Sequence, residues 1–220
     1  MRVFHVAIDG PAGSGKSTIS SLIANKLGWT HIDTGAMYRA VTLCALEAKV
    51  NLNDETSYQF LENTKISYTN EKILLNGRDV SKEIRSDEVT NNVSLVSSFH
   101  YVRSKMVTLQ QIAAQGQNVV MDGRDIGTVV LKDADLKVFL TANVEERAKR
   151  RYAENLGKGQ DDININEVIA DIKSRDIKDS TRKESPLKKA DDAIEIDTTY
   201  LTIEQVVDKI IIMIEKKENE

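Results

Sequence analysis

The stretch "GPAGSGKS", Gly10 to Ser17, fits the pattern G-x-x-x-x-G-K-[ST]. Before it stands a near-continuous apolar run, Val3, Phe4, Val6, Ala7 and Ile8, of the kind a strand shows when both faces are buried in a parallel sheet. After it, Ile19, Leu22, Ile23 and Leu27 recur at helical spacing, and Gly28 stands where a helix cap belongs. Strand, glycine loop and helix in this order make an anion cradle. The glycines let backbone N–H groups turn inward, and the helix N-terminus adds its dipole. Lys16 is placed to reach the β- and γ-phosphates of a bound nucleotide, and Ser17 to hold Mg²⁺. The expected phosphate-binding set is Gly10, Pro11, Ala12, Gly13, Ser14, Gly15, Lys16, Ser17 and Thr18, with Ser17 as the metal ligand.

The rest of the chain extends this unit. "WTHID" (29–33) predicts a second strand, followed by a helix from about Ala36 to Lys49. Residues 64–84 alternate apolar and polar and carry the hairpin dipeptide Asn76–Gly77, predicting a small antiparallel insert. Helical periodicity returns from Asp87 to Gln115, with Val89, Val93 and Val96, then Val102, Met106, Leu109 and Ile112, until Gly116 breaks it. "NVVMD" and "LKVFLTA" predict two more buried strands. Asn143 with Glu146 and Asn164 with Glu167 predict capping boxes at two helix starts, separated by a loop at "GKGQDD" (157–162). "AIEID" predicts a last strand and 203–216 a last helix. Strands alternating with helices indicate a three-layer α/β fold with a central parallel sheet.

Composition narrows the class. The 220 residues carry a net charge of −4, against the basic excess of a nucleic-acid polymer binder. Cys44 is the one cysteine, so no internal disulfide or thiolate metal cluster forms, and "AVTLCAL" reads as a buried apolar stretch. Neither Val3–Ile8 nor "IIIMI" approaches a membrane-spanning length, so a cytoplasmic protein is expected.

A phosphate loop alone does not choose among kinase, GTPase and motor ATPase. A GTPase calls for N-K-x-D, which the chain lacks; a motor ATPase calls for a strand ending in Asp-Glu, where "VVMDGRD" offers Asp-Gly. Arginines recur instead. Arg39 follows the second strand, Arg103 lies in "FHYVRSK", and Arg124 follows "VVMDG". Arg147, Arg150 and Arg151 are spaced to share a helix face, as are Arg175, Asp179 and Arg182 if their helix continues to Arg182. A salt-bridged solvent face is the plain alternative for these last two groups, since residues 145–192 hold 12 Lys/Arg and 12 Asp/Glu. Behind a phosphate loop, arginines closing over a migrating phosphoryl group stabilise its charge and exclude water.

Together, "IDGPAGSGKST", "DTGAMYR", "DGRDIGTVV", "RDIKDSTR" and "ADDAIEIDTT" resemble bacterial cytidylate kinases, in the family's order and from about Val3 to Lys216. The resemblance implies a P-loop kinase fold with a β-rich insert and a helical lid. It implies transfer of the γ-phosphoryl of ATP to CMP or dCMP with Mg²⁺. Nothing in the sequence demands a protein, nucleic-acid or membrane partner, and a monomer is expected. The implied parts are a core at 1–35, 88–142 and 190–220, a monophosphate-binding region at 36–87 and a lid at 143–189. By motif, Thr34, Arg39 and Arg124 would touch the CMP phosphate; Ser94, Arg103 and Asp125 would face cytosine. Arg175 and Asp179 would hold the ribose, and Arg182 would orient the base. Lys16, Arg124, Arg147, Arg150, Arg151 and Arg175 would supply the catalytic charge. Lys178 and Ser180 stand where some relatives carry arginine.

Physical chemistry supplies reasons for these roles. A carboxylate at Asp125 accepts from the exocyclic amine of cytosine, whereas uracil presents a carbonyl there. Such an acceptor-against-acceptor contact costs about 1–3 kcal/mol when buried. Arg124 and Asp125 are then expected to point in opposite directions. Asp122 is expected to serve Mg²⁺-bound waters or an arginine, and Asp33 to have a structural role. His5, His31 and His100 show no ligand spacing, and Trp29 and Tyr38 read as core. The alternatives are another small P-loop kinase, for uridylate, adenylate or a metabolite such as shikimate, and a non-enzymatic ATP-dependent switch.

Overall fold

In the computed structural model, residues 3–69, 72–157 and 163–219 are described. Five parallel strands form the central sheet: β1 (His5–Asp9), β2 (Thr30–Asp33), β6 (Val119–Gly123), β7 (Leu136–Thr141) and β8 (Ile194–Asp197), in the order β2-β6-β1-β7-β8. The insert adds an antiparallel sheet of β3 (Ile66–Thr69), β4 (Lys72–Leu75) and β5 (Arg78–Asp79). The helices are α1 (Lys16–Leu27), α2 (Thr34–Glu47), α3 (Asp87–Val96), α4 (His100–Ala114), α5 (Val144–Leu156), α6 (Ile165–Thr181) and α7 (Ile203–Glu218).

The apolar runs read as strands because both sheet faces are covered. Successive residues point to opposite faces, so Ala7, Val119 and Met121 join a core with α2 and α4. Val6, Ile8, Val120 and Val138 join a second core with Ile19 and Ile23 of α1 and Ile210 and Ile214 of α7. These are the three expected layers. Gly28 caps α1 in a left-handed conformation (φ 68°). Leu22, counted in the apolar stripe of α1, instead faces outward at 38% exposure.

The insert forms as its alternation predicts. Asn76 (φ 51°) and Gly77 (φ 83°) make the two-residue turn between β4 and β5. Ile73 and Leu75, with Val80 and Ile84 just beyond, bury against the core that α2 shares.

The capping expectations need correction. Asn143 Oδ1 accepts Glu146 N–H at 2.7 Å, but Asn143 N–H goes to Thr199 Oγ1, so only half a box forms. Asn164 Oδ1 accepts from Asn166 N–H, while Glu167 N–H goes to the Asn164 carbonyl instead of its side chain. The complete box is Thr202 with Gln205 at the start of α7. The 87–115 segment is two helices, parted at 97–99. Of the loop expected at 157–162, residues 158–162 lie outside the described residues.

Helices α5 and α6 form a hairpin with a small core of its own, Ala148, Val168 and Ile172. Polar contacts tie it to the rest of the chain: Arg124 to Asp179, Arg150 to Thr198 and Arg147 to Ala12. No described helix is long and apolar enough to cross a membrane.

Candidate active site

Parallel strands deliver their C-terminal ends to one edge of the sheet, where ligands of such folds bind. Here β1 runs into the glycine loop, β2 into Thr34 and β6 into Arg124. Two glycines are demanded by geometry. At Gly13 (φ 76°) a Cβ would lie 3.2 Å from the carbonyl oxygen of Arg147, and at Gly10 it would overlap the Leu140 carbonyl. Gly15 is the N-cap of α1 and supplies no capping side chain; the first turn also lacks an acid. Its amides and dipole are therefore left for an anion.

Lys16 is buried and donates from Nζ to Pro11 O at 3.1 Å. Burial, reinforced by Arg124, lowers its pKa to about 7. Burial and Arg124 likewise lower Arg175 to about 9, and burial with Arg151 lowers Arg39 to about 10. Arg175 Nε is buried and has no hydrogen-bond partner among the described residues. Arg39 is held by Ile84 O and Thr90 Oγ1. Cations that repel one another in a partly buried cleft are stabilised by an incoming anion.

Ser17 and Asp122 face each other, Oγ to Oδ2, at 2.7 Å. Asp122 is 1% exposed, and its Oδ1 lies 2.8 Å from His31 Nε2. The hydroxyl and carboxylate form a hard oxygen-donor pair. They fit Mg²⁺, which takes one or two protein ligands and keeps waters and phosphate oxygens for the rest. Thr34 Oγ1 donates to Asp122 O at 2.7 Å. Asp33 accepts from Ala36 N–H and so caps α2, the structural role expected of it.

Arg124 and Asp125 point apart. Arg124 Nε donates to Asp179 Oδ2 at 2.9 Å. Asp125, 4% exposed, accepts from the buried Arg103 guanidinium through Oδ2, while Arg182 lies 3.7 Å from Oδ1. Arg103 also donates to Ser97 O at 3.0 Å, at the break between α3 and α4, and stacks 5.3 Å from the Tyr38 ring. Ser94 is half-buried one turn earlier on α3. Tyr38 is core, as expected, and its ring also carries the Arg103 cation.

The three arginines of α5 diverge rather than act as one cluster. Arg147 is buried against Asp176 (2.7 Å), Ala142 O and Ala12 O. Arg150 grips Thr198, and Arg151 pairs with Glu154 while its charge reaches Arg39 and Arg175. Lys178 and Ser180 are exposed. Two residues escaped the sequence reading. His31, which shows no ligand spacing in the sequence, orients Asp122. Asp9 is buried at the end of β1 and binds the amides of Ile126 and Gly127. An acid closing an apolar strand is its only local signal, because such a carboxylate must find buried partners.

A parallel sheet of this order, a glycine loop entering an uncapped helix, and converging cations define a P-loop kinase. Residues 6–216 match the cytidylate kinase family. The chain is 57% identical over 215 residues to the cytidylate kinase of Acholeplasma laidlawii, covering 98% of this chain and 96% of that one. It is 52% identical over 210 residues to that of Bacillus thuringiensis, covering 93% of each. An uncharacterized protein from Eubacterium ventriosum shares the fold, with TM-score 0.51 at 14% identity over 96% of this chain and 98% of that one. The chain belongs to the cytidylate kinase family.

Proposed function

We propose that this chain transfers the γ-phosphoryl of ATP to CMP or dCMP, giving ADP and CDP or dCDP. The observation that carries the reading is the cation set Lys16, Arg39, Arg124 and Arg175 before the glycine loop, with the Asp125–Arg103–Arg182 group beside it. The first answers two nucleotide phosphates, the second a polar base edge.

In this reading residues 10–18 hold the ATP phosphates, and Lys16 exchanges Pro11 O for phosphate oxygen. Ser17, with Asp122 behind it, would hold Mg²⁺, which would supply neutralisation of phosphate charge. Arg39, Thr34 and Arg124 receive the acceptor phosphate, so Arg124 shares or leaves Asp179 when CMP arrives. Arg175 and Asp179 take the ribose; Ser94, Arg103, Asp125 and Arg182 take the cytosine. An acceptor phosphate oxygen forms the new bond to Pγ as the bond from Pγ to the bridging oxygen breaks. The attacking oxygen is already anionic, so no general base is required, and catalysis is positioning plus charge stabilisation. Arg147, Arg150, Arg151 and Arg175 add to that stabilisation as the lid closes.

The proposed division is a core at 1–35, 88–142 and 190–220, a monophosphate-binding region at 36–87 and a lid at 143–189. The separate small core of the α5–α6 hairpin supports the lid. The protein is proposed to act as a cytoplasmic monomer on free nucleotides. ADP release with ATP–Mg²⁺ and a panel of CMP, dCMP, UMP, AMP and GMP tests the reading. CMP and dCMP are expected to be the best acceptors, and preference for another monophosphate overturns it.

A further inference from the structure

Asp125 begins a one-turn π-helical segment, Ile126–Val130, and stands at its N-cap with φ −144° and ψ 26°. A capping residue ordinarily satisfies one of the first free amides with its own side chain. Asp125 does not, because its carboxylate is turned to Arg103 and Arg182. The amides are satisfied from elsewhere in the fold. Asp9 Oδ1 accepts Ile126 N–H and Oδ2 accepts Gly127 N–H, each at 2.8 Å, across 117 and 118 residues of chain. Asp9 is 4% exposed and is the last residue of β1, immediately before Gly10. One carboxylate therefore joins the root of the glycine loop to the backbone of the turn bearing Arg124 and Asp125.

We propose that Asp9 is a positioning residue for base selection: it caps the Ile126–Val130 turn in place of Asp125, which frees the Asp125 carboxylate to read the base and fixes its direction. This rests on the base-reading role assigned to Asp125 above. Space at the turn is restricted. A Cβ on Gly127 would lie 3.1 Å from Lys137 Cδ and 3.5 Å from Asp9 Oδ2, so the segment has little room to shift. Burial raises the Asp9 carboxyl to about 6 against the lowering effect of the two amide bonds, which leaves it ionised at neutral pH with both oxygens free to accept.

Asp9→Asn keeps the shape but sets an NH₂ group against one of the two amides. The expected result is a rise of about tenfold in KM for CMP and a CMP-over-UMP selectivity narrowed by a similar factor, the scale of one lost buried hydrogen bond. KM for ATP stays within about twofold, because the glycine loop keeps its own contacts. In an Asp125→Asn background the selectivity effect of Asp9→Asn vanishes, since its route runs through Asp125. Equal losses toward ATP and CMP with unchanged selectivity, or full additivity with Asp125→Asn, overturn the proposal. Wild-type indifference between CMP and UMP overturns the base-reading role itself, a distinguishable result. A second measurement needs no variant: in the free wild-type protein the Ile126 and Gly127 amides are expected to exchange as slowly as those of β1. Protection that appears only after CMP binds excludes a pre-positioned turn.

Discussion

Arg124 donates its Nε–H to Asp179 Oδ2 at 2.9 Å, joining the residue that follows β6 to the last turn of α6. The pair links the arginine proposed for the acceptor phosphate to the acid proposed for the ribose. Burial works to raise the Asp179 carboxyl, but Arg124 and Arg175 outweigh it and hold it below the usual carboxylate range. Asp179→Ala removes the counter-charge shared by these arginines. KM for CMP is expected to rise at least about tenfold, and α6 amides to exchange faster in the free protein. Unchanged steady-state kinetics and exchange would contradict the link.

Asp125 has to be tested with its buried partner in mind. Asp125→Ala strands the Arg103 guanidinium, which is 3% exposed, and is expected to cost about 3–5 kcal/mol of stability by denaturant titration. Asp125→Asn retains an acceptor and the shape, so the protein folds while the CMP-to-UMP ratio of kcat/KM narrows. A ratio that survives Asp125→Asn and Asp125→Ala alike would remove the base-reading role.

Lys16, lowered to about 7 by burial and Arg124, loses charge near neutral pH in the free protein. Bound phosphates favour the charged form and raise its pKa. ATP binding near pH 8 is therefore expected to take up a fraction of a proton, seen as a calorimetric enthalpy that varies with the ionisation enthalpy of the buffer. kcat/KM for ATP should fall above pH 7 while kcat, set by the bound state, holds. Buffer-independent binding heat would refute this.

Asp9 predicts a pH trend in stability. Its folded value of about 6 lies above the ordinary 3.8, through burial, with Asp125 raising and Lys16 lowering it. Between those pH values the folded protein keeps a proton that the unfolded chain has released. Its contribution is thus full below pH 3.8 and lost as pH rises through 6, about 3 kcal/mol in all. Asp9→Asn removes this component, so the melting-temperature difference between wild type and variant is expected to change in that direction between pH 4 and 6. A pH-independent difference counts against it.

His31 orients Asp122, which faces Ser17. His31→Ala is expected to shift the Mg²⁺ titration of activity to about tenfold higher concentration, with KM for CMP unchanged. A shift in CMP affinity alone would place His31 with the acceptor instead.

Much of the fold was legible because its signals are local. The run before Gly10, the stripe after it, the Asn76–Gly77 turn and the alternation of the insert each depend on neighbours a few residues apart. The expected capping residues Asn143 and Asn164 do start α5 and α6, but the full boxes fail for a related reason: at Asn143, Thr199 competes for the backbone amide from a distant segment. Similarly, the spacing of Arg147, Arg150 and Arg151 was visible, but a shared helix face does not choose partners, and Asp176, Thr198 and Glu154 draw them apart.

Residue types and local order by themselves therefore established a P-loop α/β protein and identified the arginines around its loop, with the acids other than Asp9. Which acid meets which cation was decided by the sheet order β2-β6-β1-β7-β8, which brings β6 between β1 and β2 and sets Asp122 beside Ser17 and His31. The same crossing puts the Asp9 carboxylate beneath Ile126 and Gly127, and the α5–α6 hairpin brings Asp179 to Arg124. Buried charges take the partners that packing places within hydrogen-bonding reach. For Asp179, Asp122 and Asp9 those partners lie 55 to 118 residues away along the chain, beyond any local pattern.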